Sequence, residues 1–341
     1  MTLRKNSPSR DNSGHANGAS DQTLESAGGG GKQAQRLPRV MVVVLHWRGS
    51  HYTRACLASI RSLRYANFEI LLVDNGSPDG SGAAIARHFP GITLLSLENN
   101  RGFAGGCNAA LSYSIEQGAE WVWLLNNDTK VAPDSLSLLV DRASEHTDAG
   151  ALGAVVRTGH GEHFVSSGPG QIDFIKAKTY LRSEFPDSAA ALQCQWLSGS
   201  NLLLRVDAIK QTGAFDEDYF LYFEDTDLCH RLGKRKWKCL LVPAASVEHV
   251  GGASTEGKRS YWRAYYYTRN RLLFFMKALK GPACLPALFF ISGHLVRHAL
   301  ALPFRGESGR NQLRAEYLGL KDYLARRFGK ATCLDWCEEE Q

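Results

Sequence analysis

The chain has 341 residues, enough for one large domain or two smaller ones, and its 44% apolar content suits a globular core and excludes wholesale disorder. The formal charge of +6 is modestly basic, with Lys and Arg gathered at 234–238, 258–271 and 326–330, which favours anionic partners such as nucleotide phosphates or acidic lipid. No basic run is interleaved with a nucleic-acid module, so nucleic acid is not an expected partner.

Residues 1–36 are rich in Ser, Gly, Asn and Gln and lack apolar periodicity, so they read as a disordered leader. Asp11, Asp21 and Glu25 argue against a transit peptide. Eight scattered cysteines with no Cys-x-x-Cys pair, and no signal peptide, predict reduced core thiols, a cytosolic setting and no structural zinc.

Val40 to Leu45 is a continuous apolar run, the pattern of a strand buried on both faces, and ends in His46-Trp47-Arg48-Gly49-Ser50. Tyr52 to Leu63 has helical spacing. Phe68 to Val73 is a second strand, ending in Asp74-Asn75-Gly76-Ser77, and Ser81 to His88 a short helix. Ile92 to Leu97 is a third strand, ending in Glu98-Asn99-Asn100-Arg101-Gly102, and Phe103 to Glu116 a helix. Trp121 to Leu125 is a fourth strand, running into Asn126-Asn127-Asp128-Thr129. Alternating strands and helices with short links predict a doubly wound, mostly parallel sheet. The polar strand tips then share one crevice, where such sheets bind ligands.

The second half is less regular. Gly150 to Arg157 is a candidate strand, 160–188 reads as loop, and Trp196 to Leu204 reads as a strand crossed by Gly199. Asp207 can cap a short helix that stops at Gly213. Trp237 to Val242 is a strand that turns at Pro243 before Val247-Glu248-His249. Tyr261 to Arg271 is aromatic and basic. Residues 285–302 are the most apolar long segment, interrupted by His294, Arg297 and His298. An interfacial helix fits this segment better than a membrane span, and a buried helix fits it equally well.

Several features carry chemistry. There is no Gly-x-Gly-x-x-Gly and no Gly-Lys-Ser/Thr loop, so dinucleotide and P-loop chemistry lack their signatures. Asp74 can accept a hydrogen bond from a base or a ribose hydroxyl, or simply form a turn. In Asn99 to Asn108 the glycines permit close backbone approach, the helix start attracts anions, and Arg101 adds a positive charge. Tight helix–sheet packing is the alternative. Glu224-Asp225-Thr226-Asp227 places three carboxylates at a helix start, suited to a general base or to capping. His249 is a core histidine or, with Asp128 in a shared crevice, a metal ligand.

Taken in order, these pieces resemble the inverting nucleotide-sugar glycosyltransferases of family 2, with the GT-A fold, and within them the rhamnosyltransferase-type branch. The matching stretches are Val42 to Gly49, Val73 to Ser77, Asn99-x-x-Gly102 with Gly105-Gly106-x-Asn108, Leu124 to Thr129, Ser198-Gly199, Phe215-Asp216-Glu217, Phe223 to Leu228, and His249, spanning about residues 40 to 275. The resemblance implies an α/β GT-A domain over 37–258 and a helical C-terminal extension over 259–341. It implies a donor site among His46, Asp74, Asn99, Arg101, Gly102, Asn126, Asn127 and Gly199. Asp74 would contact the base, and Asp128 and His249 would bind Mg²⁺ or Mn²⁺. Asp225 would be the catalytic base, with Glu224 the lesser candidate. The implied partners are a nucleoside-diphosphate sugar and a glycan or polyprenyl-diphosphate-linked acceptor, at the cytoplasmic face of the membrane.

Two departures stand out. Asn126 occupies a position where relatives carry a carboxylate, and His46-Trp47-Arg48-Gly49 replaces an Asn-Tyr-Asn-Gly type tip. Two other readings compete. A sugar-phosphate nucleotidylyltransferase would need a Gly-rich basic loop after the first strand, which His46 to Ser50 does not supply. A non-catalytic glycan-binding scaffold on the same fold would account for Asn126.

Overall fold

The structure, a computed structural model, describes residues 2–5, 36–160, 163–182, 184–185, 190–249, 259–301 and 306–332. The first half runs β1 (Thr2–Lys5), β2 (Val40–His46), α1 (Ser50–Ile60), β3 (Phe68–Asp74), α2 (Ser81–His88), β4 (Thr93–Ser96), α3 (Gly102–Glu116), β5 (Trp121–Asn126), β6 (Thr129–Val131) and α4 (Ser135–Glu145). Next come β7 (Ala149–His160), β8 (His163–Ser167), β9 (Gly170–Asp173), β10 (Lys178–Leu181), β11 (Leu192–Cys194) and β12 (Asn201–Arg205). The chain continues through α5 (Val206–Thr212), α6 (Glu224–Lys234) and β13 (Lys238–His249) to α7 (Arg259–Ala278), α8 (Leu285–Leu300) and α9 (Glu307–Leu324).

The main sheet has the order β1-β4-β3-β2-β5-β12-β7-β13-β11, with β6 beside β13 and β8 beside β7. Strands β4, β3, β2 and β5 are mutually parallel, as the alternating pattern predicts. Successive strand residues enter opposite cores. Met41, Val43, Leu71, Val122 and Leu124 pack with α3, α5 and α6, whereas Val42, Val44, Leu72, Trp123 and Leu125 pack with α1, α2 and α4. This two-sided burial is why the strands read as unbroken apolar runs.

The later strands give a mixed sheet. β12 is antiparallel to both β5 and β7, while β13 is parallel to β7. Four further expectations are corrected. Thr2–Lys5, inside the expected leader, pairs antiparallel with β4 and extends an otherwise open sheet edge. The rest of the leader, 6–35, lies outside the described residues. The stretch 160–188 holds β9 and β10, which form a separate two-stranded sheet. Residues 196–200 do not form a strand: Trp196 makes a single bridge to Gly170, 199–200 turn, and Asn201 begins the buried run. Pro243 does not end β13, because a bulge between Val242 and Ser246 absorbs it and the pairing with β7 resumes.

Helix α7 packs against the α/β body: Phe223 lies 5.1 Å from Tyr267 and 5.9 Å from Phe274 between ring centres. The basic residues expected to face acidic partners turn inward. Arg269 and Arg271 are buried, Arg269 on backbone carbonyls of residues 218, 219 and 329 and Arg271 on those of 176 and 177. Helix α8 does the opposite. Only Ala287 and Ile291 are buried on it, while Leu285, Phe289, Phe290, Val296 and Leu300 are exposed. Cys56, Cys107, Cys194, Cys229 and Cys239 are buried thiols, as core fillers should be, and Cys333 and Cys337 lie outside the described residues.

Candidate active site

Three parallel strands end side by side, and their tips build one wall of the site. His46 closes β2 with no solvent exposure; its Nδ1 lies 2.8 Å from Thr53 Oγ1 on α1 and its Nε2 2.8 Å from Ser81 Oγ on α2. Burial holds its imidazole below the usual histidine range, and the charges of Asp74 and Asp79 only partly oppose this. His46 is therefore a neutral bracket joining two helices to the sheet. Asp74, opposite His46 in register, accepts the amide of Ser77 at 2.9 Å. Its carboxylate presses on α2 so closely that a Cβ at Gly82 would stand 2.2 Å from it, so only glycine fits there.

The loop between β4 and α3 is organised by Asn75, which is buried. Its amide donates to the Gly102 carbonyl at 2.9 Å and to Asn100 Oδ1 at 3.2 Å, and its Oδ1 accepts the Arg101 amide at 3.0 Å. Asn99 is exposed at the outer edge of this loop. The Arg101 guanidinium lies 3.0 Å from both oxygens of Glu217. The first amides of α3 are already occupied, Phe103 donating to the Phe220 carbonyl at 2.8 Å and Ala104 to the same oxygen at 3.4 Å. The expected anion-attracting helix start is thus engaged by protein, because Phe220 supplies the oxygen.

The β5 tip joins the other wall. Asn127 donates to the Arg48 carbonyl and to Thr53 Oγ1, both at 3.1 Å, which ties it to the β2 tip. The Asn126 amide donates to the Ser200 carbonyl at 3.1 Å, and its side-chain nitrogen lies 3.5 Å from His249 Nε2. β6 pairs Thr129 with His249 on β13, and this register brings residues 120 apart in sequence together. Asp128 Oδ1 then sits 3.2 Å from His249 Nε2, too poorly aligned for a hydrogen bond. That oxygen is buried and has no hydrogen-bond partner, while the side chains of His249 and Asp128 keep 20% and 17% exposure. An orphaned carboxylate oxygen beside an imidazole nitrogen, still reachable from solvent, fits a divalent cation.

The carboxylate turn completes the crevice. Asp225 accepts the Gly199 amide at 2.9 Å through Oδ2 and the Thr226 amide at 2.6 Å through Oδ1. Glu224, next to it, is buried, and its Oε2 has no partner. Burial first, and then the charge of Asp225, push the Glu224 carboxyl well above its ordinary range. Burial also raises Asp225, against the hydrogen bonds from Gly199 and Thr226. Both carboxyls are thus pushed upward by burial, and the amides of Gly199 and Thr226 oppose this only at Asp225. Asp227 is held by Arg231 at 2.6 Å and by the Tyr219 hydroxyl at 3.3 Å, a structural role. The backbone just before these carboxylates is strained: Phe220, Tyr222 and Phe223 have φ of 62°, 68° and 74°. Each such residue costs on the order of 1–3 kcal/mol and needs surrounding structure to hold it.

Residues 41–212 match the family model Glycosyl transferase family 2. The chain belongs to that family. It is 33% identical over 236 residues to an N-acetylglucosaminyl-diphospho-decaprenol L-rhamnosyltransferase of Mycobacterium tuberculosis, a match covering 63% of this chain and 76% of the relative. It is 26% identical over 213 residues to rhamnosyltransferase WbbL of Escherichia coli (strain K12), covering 55% of this chain and 78% of that one. Among solved structures, GalNAc-T7 with UDP, GalNAc and Mn²⁺ superposes with a TM-score of 0.59 at 14% identity, over 90% of this chain and 57% of that one. The mannosyltransferase PcManGT of Pyrobaculum calidifontis with GDP-Man and Mn²⁺ gives a TM-score of 0.52 at 16% identity, over 86% and 89%. The fold is that of GT-A glycosyltransferases.

In this glycosyltransferase the expected residues divide into groups. Asn126, Asp128 and His249 come together, Gly199 meets Asp225, and Asn127 and His46 share Thr53. Sequence reasoning missed Asn75 as the organiser of the loop and Thr53 and Ser81 as the partners of His46. The signal for Asn75 was its place in Asp74-Asn75-Gly76-Ser77, which reads as a turn. A cavity of about 290 Å³ lined by Phe174, His230, Lys234 and Trp237 lies at the other end of α6 from Asp225.

Proposed function

We propose that this enzyme is an inverting transferase that moves a sugar, rhamnose by analogy with its relatives, from a nucleoside-diphosphate donor to a hydroxyl of a polyprenyl-diphosphate-linked glycan. The observation that carries this reading is the Asp225 carboxylate, which accepts the Gly199 and Thr226 amides beside the buried Glu224, next to Ser200 whose carbonyl accepts the Asn126 amide at the β5 tip. Asp225 takes the proton of the acceptor hydroxyl, whose oxygen attacks the anomeric carbon. The bond from that carbon to the diphosphate breaks on the opposite face, the electron pair leaves with the nucleoside diphosphate, and the configuration inverts. General-base catalysis of this kind contributes roughly 10²–10⁴-fold. Asp128 and His249, with Asn126 alongside, would hold Mg²⁺ or Mn²⁺, which neutralises a leaving diphosphate when bound. Asp74 faces the base or ribose of the donor with the acceptor capacity left after Ser77.

The decaprenol in the name of the mycobacterial relative supports a lipid-linked acceptor. The exposed apolar face of α8 supports work at the cytoplasmic face of a membrane. Residues 281–300 are long and apolar enough to cross a bilayer by length and composition, and 11% of that window is buried. The basic residues interrupting the face suit an interfacial position. The family membership argues against the nucleotidylyltransferase and decayed-scaffold readings.

The test uses purified enzyme with nucleoside-diphosphate sugars and a short-chain polyprenyl-diphosphate acceptor. Asp225→Asn should lose at least about 10²-fold in kcat while donor affinity changes less than about threefold. Asp128→Ala should abolish the Mn²⁺-dependent thermal shift produced by nucleoside diphosphates. Near-normal turnover in the first variant removes the base assignment, and an unchanged Mn²⁺ dependence in the second removes the cation site.

A further inference from the structure

We infer that Arg269 and Asn270 of α7 are positioning residues of the transferase reaction, which set the carboxylate turn and the loop between β4 and α3 as one unit. The inference rests on the reading of Asp225 as the base and extends it to a helix outside the matched family segment of 41–212.

Both side chains are fully buried, and most of their hydrogen bonds go to backbone carbonyls of the turn. The Asn270 amide nitrogen lies 2.8 Å from the Tyr219 carbonyl, 2.8 Å from that of Leu221 and 2.9 Å from that of Tyr222. Arg269 Nη2 donates to the Asp218 and Tyr219 carbonyls at 3.1 Å each, and Nη1 donates to that of Gly329 at 2.8 Å. Arg269 Nε donates to Asn270 Oδ1 at 2.9 Å, which fixes the amide so that its NH₂ faces the turn. The pair therefore reads the backbone of residues 218–222 and no side chain of it. This is the stretch whose left-handed residues Phe220, Tyr222 and Phe223 run directly into Glu224 and Asp225.

The same turn supports the donor side. The Phe220 carbonyl, in the middle of the clamped segment, accepts the Phe103 and Ala104 amides at the start of α3. Phe220 also stacks on Tyr266, one turn before Asn270, at 5.4 Å between ring centres. A displacement of residues 218–222 therefore moves the base and the loop between β4 and α3 together. An ordinary buried Arg–Asn pair would stabilise the fold without being aimed at the carbonyls of four residues, 218, 219, 221 and 222, just ahead of a reactive carboxylate. Backbone in a sparsely populated conformation persists only when its surroundings over-determine it, and these two residues supply that constraint.

The experiment uses the full chain and four variants: Asn270→Ala, Asn270→Asp, Arg269→Lys, and Phe275→Leu as a control. Phe275 is buried on the same helix and faces Phe174, so its truncation loosens α7 while leaving the hydrogen bonds of Asn270 and Arg269 to the turn in place. Asn270→Asp keeps the size of the side chain and loses the NH₂ donors. It serves where Asn270→Ala fails to fold. The expected result is a fall in kcat of about 30-fold or more in both Asn270 variants that exceeds any loss of folded protein measured by circular dichroism. The acidic limb of the kcat–pH profile should move to lower pH, because a loosened turn lets water reach Asp225. Arg269→Lys should recover part of kcat, and Phe275→Leu should lower the melting temperature while leaving the acidic limb in place. The inference is overturned if kcat per folded molecule is normal in the Asn270 variants, or if the control moves the pH profile equally. Asp225→Asn is assayed in parallel. A dead Asp225→Asn with normal Asn270 variants refutes the clamp alone, whereas an active Asp225→Asn refutes the base on which it rests.

Discussion

Glu224 and Asp225 are neighbours in the chain, yet their hydrogen-bonding surroundings differ. Asp225 has amide donors on both oxygens, and Glu224 has a buried oxygen with none. The raised Glu224 carboxyl has a consequence for stability. A carboxyl raised in the folded state binds its proton there while the unfolded chain has already released it. Stability is therefore full below the unfolded value and falls as pH rises toward the folded one, by up to about 1.4 kcal/mol per pH unit. Glu224→Gln removes this titration, so its melting temperature relative to wild type should rise between pH 5 and pH 8 in parallel scans. A constant difference across that range would place Glu224 as ionised. Removal of the lone charge of Asp128 cannot be masked by a neighbour, because Asn126 supplies none.

At the scale of elements, the site depends on where strands stop and helices start. Gly102 opens α3 with φ of 71°, and a Cβ there would stand 2.3 Å from the Phe220 carbonyl. Gly102→Ala should destabilise the fold by about 1–3 kcal/mol, seen as a lower denaturant midpoint at unchanged m, and should weaken donor binding. If the midpoint is unmoved, the contact between turn and loop is looser than described. Helices α1 to α3 were legible from their spacing and their links to the strands. α4 carries an equally regular signal in Leu136, Leu139, Val140 and Ala143, all buried, yet is not among the elements expected from the sequence. The β6–β13 pairing was not legible, since three residues give no periodicity, yet it is the pairing that delivers His249 to Asp128.

For the molecule as a whole, the C-terminal helices divide their tasks. α7 is committed to the catalytic body, and α9 is tied to α8 by His298 and Glu316 at 3.0 Å. α8 presents Phe289 at 75% exposure and Leu300 at 72%, an apolar face that no other described element covers. Phe289→Asp should leave stability within about 0.5 kcal/mol and reduce sedimentation with anionic vesicles several-fold. Wild-type protein that stays in the supernatant with such vesicles would rule out the membrane-facing role.

Local patterning along the chain suffices for the parallel half of the fold and for marking Asp74, Asp128, Asp225 and His249 as residues to test. Continuous apolar runs and polar tips are local signals, set by two-sided burial and by the end of the sheet. Only the tertiary structure decided the antiparallel entry of β12, the engagement of Arg101 by Glu217 and the inward turn of Arg269 and Arg271. A basic, aromatic helix looks the same in sequence whether its cations meet lipid or backbone. The choice is made by carbonyls some 50 residues away, which Arg269 and Asn270 reach only when the chain has folded.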